Sequence, residues 1–328
     1  MAVKNINPTK TIMIHTAEFV SKDHPDKVCD RISDAILDVC LTQDPLSRVA
    51  VETMGGHGIV TVTGELTTNA FVDIPSIVQA VYGKPIGVQV NLTRQSNEIA
   101  RGVDTGGAGD QGIMVGYACS DTKTMMPLEY ELARSLNRHL YGIMPADGKT
   151  QITIEDGEVS AVLASWCGMD TMTLYKNVSD WANENKITAA KLLVNPAGDW
   201  KTGGFDADTG LTGRKIVNDA YGPSVQVGGG AYSGKDPTKV DRSAAYMARK
   251  IACDVVRNGA DEVLVKIAYA IGMEQPLMAV IVSDGIERKI AGYDLRPQAI
   301  IEMLDLRKPI YEKTAESGHY GNGFSWDK

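Results

Sequence analysis

The chain has 328 residues, 43% hydrophobic and 23% charged, with 33 Lys and Arg against 41 Asp and Glu and a net charge of −8. This is ordinary globular composition, long enough for a large core and, by length alone, for about two domains. No block of Lys or Arg supplies the basic face of a nucleic-acid binder, and no apolar run approaches the ~20 residues of a membrane-spanning helix. The opening Met1 to Lys10 reads as a loose leader without the apolar stretch of a signal peptide, so a cytoplasmic location is expected. Cys29, Cys40, Cys119, Cys167 and Cys253 are odd in number and lack C-x-x-C spacing; they read as buried free thiols.

In chain order, Thr11 to His15 is a short strand candidate. Asp23 is placed to cap a helix from Pro25 to Thr42, with Val28, Ile32, Ile36 and Val39 at helical spacing and Asp44-Pro45 as its stop. Arg48–Thr53 and Ile59–Thr67 alternate apolar and polar residues around Met54 to Gly58, a hairpin pattern. Val72 to Val81 follows as a helix, and Gly102 to Gly112 as a glycine-rich loop. Pro127 to Tyr141 is an amphipathic helix; Thr150–Ile154 and Glu158–Ser165 form a second hairpin around Asp156-Gly157. Asp180 to Leu193 is mixed and partly helical, and residues 195–241 read as long loops. A third helix runs from Asp241 through Val256, stopped by Asn258-Gly259. Glu262–Ile271 and Leu277–Val282 are strands, and Pro297–Leu304 a short helix. Helices covering one face of mainly antiparallel sheets make an α+β fold. No internal repeat is visible by eye.

Four segments carry chemistry. His24-Pro25-Asp26-Lys27 opens a helix, where free N–H groups and the helix dipole attract phosphate. His24 and Lys27 add donors, and Asp26 suits such a place if a cation such as Mg²⁺ bridges carboxylate and phosphate. Gly228-Gly229-Gly230-Ala231-Tyr232-Ser233-Gly234-Lys235-Asp236 fits the G-x-x-x-x-G-K part of a P-loop, but Asp236 replaces the metal-holding Ser or Thr and the helix starts too late. Its glycines still allow close backbone approach; Lys235 and Lys239 suit polyphosphate, and Asp241 offers a second carboxylate. Asp208 to Lys215 places Arg214 and Lys215 after two glycines. Gly106 to Gly112 presents Asp110 to an adenine amine, a ribose hydroxyl or its own turn. A capped helix, solvated charges and ordinary turns explain each segment alone. Four such segments together favour a metal–polyphosphate site.

The strings H-P-D-K (24–27), G-E-L-T-T (64–68), G-A-G-D-Q-G (107–112), G-L-T-G-R-K (210–215), G-G-G-A-Y-S-G-K-D (228–236), K-V-D-R-S-A-A-Y (239–246) and D-L-R-P (294–297) occur in this order. With them the chain resembles the S-adenosylmethionine synthetase (methionine adenosyltransferase) family over nearly its full length. The resemblance implies three similar α/β subdomains around a pseudo-threefold, expected at 11–100, 106–203 and 204–328. It implies a homodimer, with a tetramer also open, whose active sites lie between subunits. The implied reaction is attack of methionine sulfur on C5′ of ATP, with triphosphate leaving and then hydrolysed to pyrophosphate and phosphate. It further implies two Mg²⁺ per site at Asp26 and Asp241, and K⁺ at Glu52. His24 is expected at the departing oxygen; Lys149, Arg214, Lys215, Lys235 and Lys239 on phosphates; Trp200 and Ala231 at ATP. Asp110 and Asp208 are expected to orient the nucleoside, Asp208 and Lys239 to touch methionine, and Glu65 and Gln95 to hold its ends.

The chain departs from the family pattern at Asp23, where glycine is usual, and at Asp199-Trp200, where Arg-Phe is usual. The stretches Val81–Leu92 and Gln95–Gly107 are shorter than usual, and the second is the mobile lid of the family. The shortened lid motivates an alternative reading, a triphosphatase or phosphotransferase on the same scaffold. A non-catalytic regulatory subunit is the third.

Overall fold

The computed structural model describes residues 12–95, 106–188 and 191–328. The leader and most of the lid stretch therefore lie outside the described residues. Among these residues, twelve strands build three four-stranded sheets, and a long helix packs on each sheet.

The first region runs β1 (Ile14–Val20), α1 (Pro25–Gln43), β2 (Arg48–Gly56), β3 (Ile59–Thr67), α2 (Ile74–Tyr82) and β4 (Gly87–Thr93). The second runs β5 (Gly112–Cys119), α3 (Leu128–Ile143), β6 (Gly148–Glu155), β7 (Glu158–Trp166), α4 (Thr171–Glu184) and β8 (Lys191–Val194). The third runs β9 (Gly210–Leu211), α5 (Ile216–Asp219), α6 (Val240–Arg257), β10 (Glu262–Tyr269), β11 (Met278–Ser283), β12 (Ile286–Lys289), α7 (Pro297–Met303) and α8 (Tyr311–Glu316). The first two regions share one element order, strand–helix–hairpin–helix–strand, and the third is a variation on it.

The opening strand of each region leaves its own hairpin. β1 pairs antiparallel with β6, β5 with β10, and β9 with β2. The exchange is cyclic: first to second, second to third, third to first. β4 and β8 then close their sheets in parallel with β3 and β7. This interlocking is the structural repeat that the sequence hides.

The hairpins β2–β3, β6–β7 and β11–β12 turn on His57-Gly58, Asp156-Gly157 and Asp284-Gly285. All six residues have positive φ, the geometry of type I′ turns. The first hairpin is therefore tighter than the five-residue connection expected from sequence.

Several expectations shift. The first strand is Ile14–Val20, not Thr11–His15, because Ala17 and Phe19 are buried while Ile12, Met13 and Ile14 stay exposed. The apolar run was a decoy, and the alternation after it marks the strand. Asp23 does not cap α1. His24 is the N-cap, its ring accepting from the Asp26 N–H, and the Asp23 carboxylate accepts from the Tyr141 hydroxyl at 2.8 Å. Gly112 opens β5 rather than ending a loop, β9 and α5 interrupt the long loops expected over 195–241, and β4, β12 and α8 had no counterpart in the expected elements. Helix α4 begins nine residues before the expected Asp180, capped by Asp170.

The five cysteines are buried and free, as expected. No helix among the described residues is long and apolar enough to cross a membrane.

Candidate active site

The start of α1 and the β9–α5 segment meet face to face. Gly210 lies so close to α1 that a β-carbon there would overlap the Pro25 carbonyl, so only glycine permits the approach. This brings the Asp26 carboxylate to the following turn. Asp26 Oδ1 accepts from the Leu211 N–H at 2.9 Å, and Oδ2 pairs with Lys215 Nζ at 2.5 Å. Arg214 Nε lies 3.7 Å from Oδ1, with its side chain more than half exposed. Burial alone would raise the Asp26 pKa. The Lys215 hydrogen bond, the Leu211 N–H and the lysine charge outweigh burial and hold the carboxyl below its ordinary value.

His24 sits beside this pair, only 6% exposed. Burial, then the positive charges of Lys215 and Lys149, push its pKa down to about 4, against opposing pulls from Asp26 and Asp208. The ring is thus neutral at neutral pH. Its Nδ1 accepts from the Asp26 N–H at 3.2 Å, so the proton resides on Nε2. A neutral imidazole with a fixed N–H donor is the result. Lys149, exposed on β6 opposite Val20, and Asp208, exposed in the turn before β9, complete this cluster through their charges.

Asp147 belongs here too, though no sequence string singled it out. It accepts from the Gly204 N–H at 2.9 Å and interacts with Lys149, Asp23 and Asp208; burial raises its pKa. Asp147 and Asp23 line a cavity of about 430 Å³ with Tyr82, Lys84, Cys167 and Lys201, a volume within the usual small-ligand range.

Lys27 is a correction. Its ammonium is not a phosphate donor: it is buried and held between Asp219 and Asp30, the latter at 3.0 Å. Burial disfavours its charge, but the two carboxylates more than compensate and raise its pKa. The residue type was right for an anion site, and the position on the inward face of α1 was not.

A second charged cluster lies on the loop before α6 and on the first turn of that helix. Lys235 Nζ pairs with Asp241 at 2.6 Å and Lys239 Nζ with the buried Asp236 at 2.6 Å. Asp236 also accepts from the Val49 and Thr238 N–H groups, so it is a structural anchor. No helix follows Lys235 directly, and P-loop geometry is absent. A β-carbon on Gly213 would strike the methyl of Ala231, so the two loops touch. Among the described residues, no hydrogen bond or ion pair joins Lys235, Lys239 or Asp241 to His24, Asp26, Lys149, Asp208, Arg214 or Lys215.

The remaining expected residues lie outside both clusters. Glu52 and Glu65 project from the face of β2–β3 opposite the one packed on α1, Glu52 exposed and Glu65 half-buried. The Gln95 N–H donates to Thr67 just beyond β4. Asp110 is exposed and accepts from the next N–H, the turn-closing arrangement. Trp200 is half-buried, its carbonyl accepting from the Gly168 N–H at 2.8 Å. Asp199 is used locally: its carboxylate accepts from the N–H and hydroxyl of Thr171 at the start of α4.

Comparison with known proteins is consistent in every part of the chain. The family model for the N-terminal domain of S-adenosylmethionine synthetase matches residues 12–101, the central-domain model 105–200 and the C-terminal-domain model 202–328. Two curated proteins named S-adenosylmethionine synthase, one from Myxococcus xanthus (strain DK1622) and one from Myxococcus xanthus, are each 40% identical over 369 residues. Each alignment covers 97% of this chain and 93% of the relative. The aligned span exceeds the 328 residues of this chain, so each relative carries residues within it that this chain lacks. On three models matched in order and relatives spanning almost the whole sequence, the chain belongs to the S-adenosylmethionine synthetase family.

Proposed function

We propose that this chain makes S-adenosylmethionine from ATP and L-methionine, with its two charged clusters gripping the triphosphate as the leaving group. The observation that carries the reading is the pair of lysine-neutralised carboxylates, Asp26–Lys215 and Asp241–Lys235, each carboxylate in the first turn of a long helix and each lysine on a glycine-containing loop.

The methionine thioether sulfur attacks C5′. The C5′–O bond breaks, the electron pair leaves with the triphosphate, and a sulfonium forms. The Nε2–H of His24 donates to the departing oxygen, as a neutral group whose tautomer is fixed by the helix cap. Lys149, Arg214, Lys215, Lys235 and Lys239 neutralise phosphate charge in the positions where it develops. Trp200 and Ala231 contact the nucleotide, and Asp110 and Asp208 orient the nucleoside. Asp208, Lys239, Glu65 and Gln95 orient methionine, so that sulfur and C5′ are held in line. Hydrolysis of the bound triphosphate to pyrophosphate and phosphate follows.

Among the described residues no three His, Cys, Asp or Glu side chains converge to hold a metal. Mg²⁺ does not require this: it commonly takes one or two carboxylates, with phosphate oxygens and water completing its shell. Asp26 and Asp241 fit that need, and the lysine on each occupies the place of a cation. Two Mg²⁺ held there supply charge neutralisation of the leaving group when bound. The exposed carboxylate of Glu52 is an oxygen donor suited to K⁺.

Each chain supplies half-sites to a homodimer. The absence, among the described residues, of a hydrogen bond or ion pair between the charged groups of the two clusters supports this, as do Met54, Ile59 and Ile113 exposed on sheet faces. A cytoplasmic enzyme fits the reduced cysteines.

Incubation with ATP, methionine, Mg²⁺ and K⁺ should give the sulfonium, pyrophosphate and phosphate in equal amounts. Release of phosphate without methionine and without sulfonium would sink the reading. Mixing inactive His24→Ala and Lys235→Met chains should restore activity through heterodimers; no recovery after subunit exchange would place both clusters in one chain's own site. The named relatives are synthases, and nothing favours the triphosphatase or regulatory readings.

A further inference from the structure

Asp26, Asp30, Asp34 and Asp38 recur every fourth residue along α1. At about 1.5 Å per residue, successive members stand about 6 Å apart along one slowly turning face. Each accepts main-chain N–H groups from the third region of the chain. Asp26 takes Leu211, Asp30 takes Gly213 at 2.8 Å, Asp34 takes Gly234 at 2.8 Å, and Asp38 takes Tyr311 and Glu312, both at 2.9 Å. Asp30 and Asp34 are fully buried, and each is matched by a buried cation. Lys27 pairs with Asp30, and Arg242 grips Asp34 through both nitrogens at 2.6 and 2.9 Å. Arg242 also donates to the Lys235 carbonyl at 3.2 Å.

Stability does not call for this arrangement. Buried ion pairs are often replaceable by apolar side chains without loss, and aspartate is a weak helix former. What the row does is fix backbone. The N–H groups it holds sit next to the residues that carry the positive charge: Gly213 precedes Arg214-Lys215, and Gly234 precedes Lys235.

We propose that this row is a rack that sets both cationic loops on one helix, with Asp30 and Asp34 as positioning residues for Arg214-Lys215 and Lys235. The inference rests on the reading of those cations as triphosphate ligands. Asp38 is its internal control, because the segment it holds carries no site residue.

The test compares Asp30→Leu, Asp30→Asn and Asp38→Leu in the full chain. Readouts are the melting temperature, affinity for inorganic tripolyphosphate with Mg²⁺, and kcat and KM for synthesis well below melting. Asp30→Leu removes the acceptor yet leaves Lys27 paired with Asp219; Asp30→Asn keeps an acceptor oxygen. Asp30→Leu should weaken tripolyphosphate binding and lower kcat by about tenfold or more, with KM for methionine little changed. Asp30→Asn should restore both to within about threefold, and Asp38→Leu should lower the melting temperature while leaving both near wild type. If Asp30→Leu does not fold, Asp30→Ala, which lets water reach the Gly213 N–H, takes its place. Unchanged tripolyphosphate affinity in the acceptor-less variant overturns the proposal. So does equal loss of activity in the Asp38 variant at equal loss of stability. A wild-type protein that binds tripolyphosphate but makes no sulfonium would sink the proposed function and leave the rack testable by binding alone.

Discussion

At the residue scale, His24 is the group proposed to face the departing oxygen. Its Nδ1 is occupied by the Asp26 N–H, and its burial beside Lys215 and Lys149 keeps it neutral. His24→Ala should leave ATP binding within a few-fold and slow sulfonium formation by about 100-fold, the scale of losing one donor to a developing oxyanion. Collapse of binding with an unchanged chemical step would contradict that role. The same burial has a pH consequence. Between about 6.5 and 4 the unfolded chain takes up a proton that folded His24 refuses. Its contribution to stability is therefore full above pH 6.5 and is lost as pH falls towards 4. Melting curves of His24→Asn against wild type should diverge less at pH 5 than at pH 7; parallel curves would remove the burial argument. His24 and Asp26 were legible in the sequence because a helix start and a lone carboxylate already imply anion and cation. Lys27 was misread, since one-dimensional proximity does not say which face of a helix a side chain takes. Asp147 was silent for a related reason: Lys149 is near it in sequence, but Gly204, Asp23 and Asp208 reach it only once the chain is folded.

At the element scale, glycine spacing determines the site. Gly210→Ala would drive a methyl into the Pro25 carbonyl at the very point where α1 begins. We expect a loss of about 3 kcal/mol, the upper end for overpacking, read as a lowered melting temperature together with weakened nucleotide binding. An unchanged melting temperature would mean that the β9 segment can stand off from α1. The β2–β3 and β6–β7 hairpins were legible because alternating strands flank a glycine-containing turn, an Asp-Gly pair in the second of them. Strands β4, β5 and β12 were not. β5 opens at the end of a glycine-rich stretch, and nearly all of it is buried, so it lacks the alternation of a half-exposed strand. β4 is an edge strand paired in parallel, with only partial burial to pattern it. The aspartates of α1 were in plain view at four-residue spacing. They carried no signal as a set, because a row of carboxylates on a helix reads as a solvated face until the chain is folded around it.

At the scale of the whole molecule, the cyclic strand exchange makes the three regions one folding unit. A fragment of residues 202–328 keeps β10 and β11 but loses β5, which pairs with all of β10. It should therefore fail to fold alone, with no cooperative melting by circular dichroism, and a folded fragment would show the exchange to be dispensable. The family resemblance implied three similar units, but nothing in the sequence showed that each begins in its neighbour's sheet, because strand pairing is non-local. In the proposed reaction the phosphates leave and are not transferred. ATP carrying ¹⁸O at the oxygen that bridges C5′ and the α-phosphate tests it directly. All of the label should appear in the inorganic products, in whichever of pyrophosphate and phosphate keeps the former α-phosphorus, with S-adenosylmethionine free of it; label retained on the nucleoside would show cleavage at phosphorus and contradict this.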